Sequence, residues 1–187
     1  MLLLLALVCA APVIVSYLMY YVFKPVGGTS SYGQLIDPQH PIPAQLVVTD
    51  EKGQSLPLKS LEGKWLMITV NGSDCEEQCV TRLYYMRQVR VLQSGERERV
   101  VNVWLRTDDK PVSDVIKIAY PQPDTRMFVA DQKAIASWLP VDDGTKLTDH
   151  IFLVDPNGNL MMRFPKNPDL KKINADVAKL LKWSRIG

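Results

Sequence analysis

The chain has 187 residues and a mass of 21.1 kDa, with 47% apolar and 22% charged residues. That apolar share can fill a core, which excludes a disordered or collagen-like chain. Lys and Arg number 22 against 20 Asp and Glu, so the net charge of +2 offers no basic field for nucleic acid, and no nucleic-acid partner is expected.

None of those charges falls between Met1 and Phe23 (MLLLLALVCAAPVIVSYLMYYVF). As a helix this stretch would reach about 34 Å, enough for a hydrocarbon core of roughly 30 Å. Pro12 is tolerable in such a span, and Tyr17, Tyr20 and Tyr21 gather near one end as interfacial anchors do. The pattern predicts one transmembrane anchor over 1–23. A cleaved signal peptide fits less well, because the run is long, no charged stretch precedes it and no A-x-A site follows. Cys9 follows Val8, which is bulkier than a lipoprotein site usually accepts. Lys24 alone does not fix the orientation. Pro25, Pro38, Pro41 and Pro43 with three glycines then predict an extended tether over 24–44, in which His40 has no expected role.

From 45 to 187 the pattern alternates strands and helices. Gln45–Thr49 is a short β-branched run, and Trp65–Val70 is a continuous apolar run of the kind buried on both faces. A helix is expected from about Asp74 to Gln93, then a buried strand at Val100–Leu105. Shorter helices are expected near Val112–Ala119 and Asp131–Leu139, with a strand about Met127–Val129 between them. Ile151–Val154 and Asn159–Phe164 flank the D-P-N-G turn of a hairpin, and Leu170–Trp183 reads as an amphipathic helix. The order predicts an α/β domain, a central mixed sheet with helices on its faces.

Cys75 and Cys79 lie between a buried strand and a helix, in Asn71-Gly-Ser-Asp-Cys-Glu-Glu-Gln-Cys-Val80. Ser73 with Glu76, or Asp74 with Glu77, can form a capping box, and either frame puts Cys75 in the first helical turn with Cys79 one turn on. A helix N-terminus favours thiolate, while Asp74, Glu76 and Glu77 oppose it. Side chains at i and i+4 hold Cβ atoms about 5–6 Å apart, wider than the roughly 3.5–4.5 Å of a disulfide. A disulfide therefore needs the first turn to loosen, whereas two thiolates at that spacing can share a soft metal ion. A redox or metal role is expected. His40 and His150 are the two histidines, and His150 ends Leu147-Thr-Asp-His150 just before a strand.

Together these segments resemble the Sco/SenC family of membrane-anchored, thioredoxin-like proteins of cytochrome c oxidase assembly. The likeness is carried by L-x-x-L-x-G-K-W at Leu58–Trp65, C-x3-C at Cys75–Cys79, and D-H before a strand and D-P-x-G at Asp149–Gly158. Glu76 and Val80 follow the cysteines, where the family usually carries proline. The resemblance implies a thioredoxin-like domain over 45–187 in which Cys75, Cys79 and His150 bind one copper ion. Two thiolates and an imidazole suit Cu(I), and Asp149 would either orient His150 or cap a turn. Met86, Met161 and Met162 are read as core filling.

Three functions follow from the resemblance. One is a chaperone delivering Cu(I) to the copper centre of cytochrome c oxidase subunit II. Another is a thiol-disulfide oxidoreductase with Cys75 attacking and Cys79 resolving, and the third is an assembly scaffold with little chemistry. All place the soluble domain outside the cytoplasm, in a bacterial periplasm or mitochondrial intermembrane space, with the membrane and oxidase assembly factors as partners.

Overall fold

A strand whose residues are apolar without alternation can be satisfied only between two layers, and Trp65–Asn71 (β4) is buried at every position. The computed structural model describes residues 1–19, 21, 31–37, 39–184 and 186, and divides into two compact units, Met1–Ser30 and Ser31–Gly187. In the first unit Leu2–Leu18 (α1) is helical for 17 residues, about 25 Å at 1.5 Å per residue. Among the described residues no helix is long and apolar enough to cross a membrane. The expected span over 1–23 also includes positions 20, 22 and 23, which lie outside the described residues.

The second unit is built on eight strands. In chain order they are Gln34–Leu35 (β1), Val47–Asp50 (β2), Ser55–Pro57 (β3), β4, Val100–Arg106 (β5), Thr125–Ala130 (β6), Ile151–Val154 (β7) and Leu160–Arg163 (β8). Their order in the sheet is β1-β8-β7-β4-β5-β6-β2-β3. The central strands β4, β5 and β6 run parallel, and β7, β8, β1, β2 and β3 join by antiparallel pairs, so the sheet is mixed as expected.

Period-2 alternation along β4 sorts the core into two faces. Leu66, Ile68 and Val70 pack with Phe128, Phe152 and residues of Gln132–Trp138 (α4), while Trp65 and Met67 pack beneath Glu77–Leu92 (α2) and Leu170–Trp183 (α5). Asp169 caps α5 by accepting from the amides of Lys171 at 2.8 Å and Lys172 at 3.2 Å. The expected hairpin is present: Asp155 Oδ1 accepts from the amides of Asn157 and Asn159, and Gly158 takes φ +82°. Asp114–Ala119 (α3) completes the unit.

Within the stretch expected as tether, Gln34–Leu35 pairs with β8 and Pro41 bridges Asn159. Ile36 donates to Met161 O and Ile42 to Gly158 O, both at 2.8 Å, and the His40 carbonyl accepts from Leu160. The His40 ring, expected idle, bonds the Trp138 carbonyl through Nε2. Prolines are compatible with an outer strand because it needs only alternate donors. Gly33 is locked here by its amide, which donates to the buried carboxylate of Asp176 at 2.8 Å.

A Cβ at Gly33 would lie 2.4 Å from Cγ and Sδ of Met162, which is itself 1% exposed and cannot swing away. Gly33→Ala is therefore expected to cost about 1–3 kcal/mol by overpacking. Gly95→Ala, with nothing within 4 Å of its Cβ, should stay within about 0.5 kcal/mol of the parent. Urea denaturation of the two variants checks this, and equal shifts would contradict it.

Candidate functional site

Five residues, 72–76, connect the end of β4 to the start of α2. The sequence offers Ser73 and Asp74 as helix caps, but neither is used. Ser73 is drawn instead to the segment after β5: its amide donates to Asp108 Oδ2 at 3.1 Å, and Arg106 Nη1 donates to its hydroxyl at 3.0 Å. The Ser73 hydroxyl, together with the amides of Ser73 and Lys110, holds the Asp108 carboxyl below its ordinary range against a smaller opposing effect of burial. The N-cap falls on Glu76, without a side-chain bond, and Cys75 sits outside the helix.

Cys75 closes a turn by donating its amide to Gly72 O at 3.3 Å, and its φ is +35°, an uncommon value for a side chain with a Cβ. That conformation shortens the Cys75–Cys79 Cα separation to 5.1 Å, and the two sulfurs form a disulfide. The expectation of Cys75 in the first turn is corrected: the helical start loosens by just the amount a disulfide requires. Cys79 stays at the third position of α2, where backbone N–H groups lack intrahelical acceptors and favour a thiolate.

One side of the disulfide is an apolar wall of Leu83, Trp104, Val112, Ile116, Tyr120 and Met127. The other opens on a cleft of about 500 Å³, to which Asp74, Glu76, Glu77, Arg82 and Thr148 contribute. Cys75 is 6% and Cys79 2% exposed, so a reactant meets sulfur only from this cleft.

His150 is not among the residues that line this cleft. It is fully buried, with Nδ1 2.8 Å from the Phe164 carbonyl and Nε2 2.8 Å from the Thr145 hydroxyl. A carbonyl only accepts, so Nδ1 carries a proton there. From the same segment it is Thr148 that reaches the cleft. Asp149 caps the turn rather than orienting His150: its Oδ2 accepts from the Lys146 amide at 3.0 Å and pairs with Lys166 Nζ at 3.3 Å. Met86 and Met162 are buried in the core under α2 and α5, with Met161 packed against it.

The structure thus brings Cys75 and Cys79 together and does not add His150 to them. Among the described residues no three His, Cys, Asp or Glu side chains are grouped to hold a metal ion. Both sulfurs are tied to each other and both imidazole nitrogens are engaged, so these three residues would hold copper only with the pair reduced and His150 released. Sequence reasoning passed over Arg82 and Thr148. The signal for Arg82 was available, since it shares the buried face of α2 with Cys79, Leu83, Met86 and Val89, where an arginine is out of character.

A parallel β4–β5–β6 core, antiparallel β7–β8 and a cysteine pair at a strand-to-helix junction define a thioredoxin-like domain. The family described as "Transmembrane-like, thioredoxin-like, C-terminal domain" matches residues 65–184, and the chain belongs to it. Comparison with curated proteins gives no match. Among solved structures, yeast Sco1 with copper bound is similar at 17% identity over 82% of this chain and 90% of that one, with a TM-score of 0.59. The thioredoxin domain of a thiol-disulfide oxidoreductase from Bacteroides vulgatus is similar at 17% identity over 78% and 99%, TM-score 0.55. BsSco, a member of the Sco family of cytochrome c oxidase assembly proteins in which a disulfide switch was identified, is similar at 17% identity over 81% and 99%, TM-score 0.55. At these identities the likeness, including that to Sco proteins expected from the sequence, is one of fold.

Asp149 gives the site region a pH signature. Burial raises its carboxyl pKa, but the Lys146 amide, Lys166 and Arg82 together outweigh burial and hold it below the ordinary value of 3.8. A carboxyl lowered on folding contributes stability above its unfolded pKa and loses it as pH falls through the lower folded value. Asp149→Asn should therefore destabilise the chain at neutral pH and flatten the loss of stability below about pH 4. Denaturation midpoints across that range test this, and an unchanged acid limb would contradict it.

Proposed function

We propose that the chain exchanges thiols and disulfides with a partner protein, with Cys75–Cys79 as the redox centre. The carrying observation is that the pair is bonded at the mouth of a cleft while His150 is engaged in the core. A substrate thiolate attacks Sγ of Cys75, the more exposed of the two residues, and the S–S bond breaks with Cys79 leaving as thiolate at the start of α2. A second substrate thiol then displaces the mixed disulfide. Two substrate thiols become one disulfide, and both protein cysteines end reduced; the reverse sequence, with Cys75 attacking, reduces a substrate disulfide.

The likeness to BsSco supports cysteines of an oxidase subunit or assembly factor as the target. A disulfide of this kind persists outside the cytoplasm, and an uncharged Met1–Phe23 segment supports tethering at a membrane with the soluble domain in that compartment. Copper binding is the second reading, favoured by the copper-bound yeast Sco1 neighbour. It requires the reduced pair.

Equilibration with glutathione buffers, read by thiol labelling, tests the first reading. Wild type should show a two-electron transition, Cys79→Ser should trap a mixed disulfide at Cys75, and His150→Ala should lower stability by about 1–3 kcal/mol while leaving exchange intact. A pair that no thiol reduces would sink this reading. Titrating the reduced chain with Cu(I) against a competing chelator tests the second. Tight one-to-one binding that collapses in His150→Ala would favour copper transfer, and would require His150 to leave Phe164 and Thr145.

A further inference from the structure

Of the four buried arginines among the described residues, three make hydrogen bonds or ion pairs through their guanidinium, although Arg106 Nε, like Arg82 Nε, has no partner. Arg90 donates to Val100 O and pairs with Asp124, Arg106 donates to Ser73 and Lys110 O, and Arg163 donates to Pro140 O and meets Asp142. Arg82 is different. It is 5% exposed, its Nε has no hydrogen-bond partner, and its guanidinium makes no hydrogen bond or ion pair among the described residues. Asp149, the carboxylate whose field it feels, accepts from the Lys146 amide and pairs with Lys166 through Oδ2, with no hydrogen bond or ion pair to Arg82. A desolvated charge left without a partner is costly, and such a group is ordinarily matched by something that binds.

Arg82 also lies where a ligand can reach it. It lines the cleft that contains Cys75 and Cys79, and it lines an adjoining cleft of about 320 Å³ formed with Thr81, Tyr85, Lys166 and Asn167. Glu77 and Gln78 belong to both, so the two run together along the first turns of α2. Donors dominate the second cleft, and acids rim the first: Asp74, Glu76 and Glu77 are exposed at its edge, where solvent screens them.

We infer that Arg82 binds the carboxylate of a thiol substrate, holding its sulfur toward the Cys75–Cys79 disulfide. The inference rests on the exchange reading above and names its substrate class: a thiol whose own molecule carries a nearby carboxylate, with neutral or cationic groups facing the acidic rim. The guanidinium supplies a planar pair of donors that matches a carboxylate. The electron balance is unchanged, since the carboxylate is held and takes no part in bond making.

Cysteine and cysteine methyl ester differ in the carboxylate, and both keep the ammonium when compared below the ester's ammonium pKa. Rates of reduction of the oxidised full chain, compared at equal thiolate concentration, should favour cysteine about tenfold in wild type. Arg82→Gln should remove the preference, with Arg82→Lys between, the variant supplying the reference ratio for the two reagents' intrinsic reactivity. S-methylcysteine, which has the carboxylate but no thiol, should compete with cysteine in wild type, a measurement that does not depend on any variant folding. Equal preference in wild type and Arg82→Gln, or no competition, would overturn the carboxylate site. If no thiol reduces the disulfide, the exchange reading fails separately, and calorimetric titration of the oxidised chain with S-methylcysteine still decides whether the carboxylate binds.

Discussion

The pull of Ser73 toward the segment after β5 governs the geometry of the redox pair. Left to local preference, Ser73 or Asp74 would cap α2 and draw Cys75 into its first turn. Bonds from Ser73 to Asp108 and from Arg106 to Ser73 hold the connection to the neighbouring strand instead, and the helix starts late, at Glu77. Cys75 must then turn back sharply, at φ +35°, to reach Cys79. A tertiary contact between two parallel strands' C-terminal ends thereby converts a spacing suited to two separate thiols into one suited to a disulfide. Backbone conformations of that kind are sustained only when the surroundings fix both ends, and here Ser73 fixes one and α2 the other.

The same competition between local and tertiary partners explains His150. Just before a strand, it reads in isolation as a polar surface residue, and only the resemblance to Sco proteins sets it beside the cysteines. In the fold, the short turn Leu147–Asp149 intervenes, held by the Asp149 carboxylate on the Lys146 amide. That turn presents Thr148 to the cysteine cleft and sends His150 inward, where Phe164 at the end of the hairpin supplies a carbonyl. The ring links the start of β7 to the residue after β8, so its placement serves the hairpin's closure.

Much of the fold was legible because its signals are periodic. The buried run at β4, the D-P-N-G turn and the amphipathic face of α5 each fixed an element, and Leu170–Trp183 falls where the periodicity puts it. What escaped was held by long-range pairing. Gln34–Leu35 is too short to carry a pattern and is a strand only because β8 offers an edge, and the Pro-rich stretch around Ile42 packs because the hairpin accepts its backbone bonds. At the site, the cysteine pair was legible as chemistry from its position alone. The side-chain bonds of His150 were not, since a histidine beside an aspartate says nothing of which way a turn rotates it.

Arginines sharpen the contrast between stability and function in this domain. Arg90 and Arg106 repay their burial by tying α2 to β5 and β5 to the connection that bears Cys75, work that a fold needs. Arg82, on the same helix face two turns before Arg90, makes no hydrogen bond at Nε and acts on the fold through its field at Asp149. A leucine or methionine there would continue the apolar stripe of Leu83, Met86 and Val89 without burying a charge. The guanidinium is retained where α2 borders the disulfide cleft. The field of Asp149 offsets part of that burial, and a ligand charge arriving in the cleft would offset more.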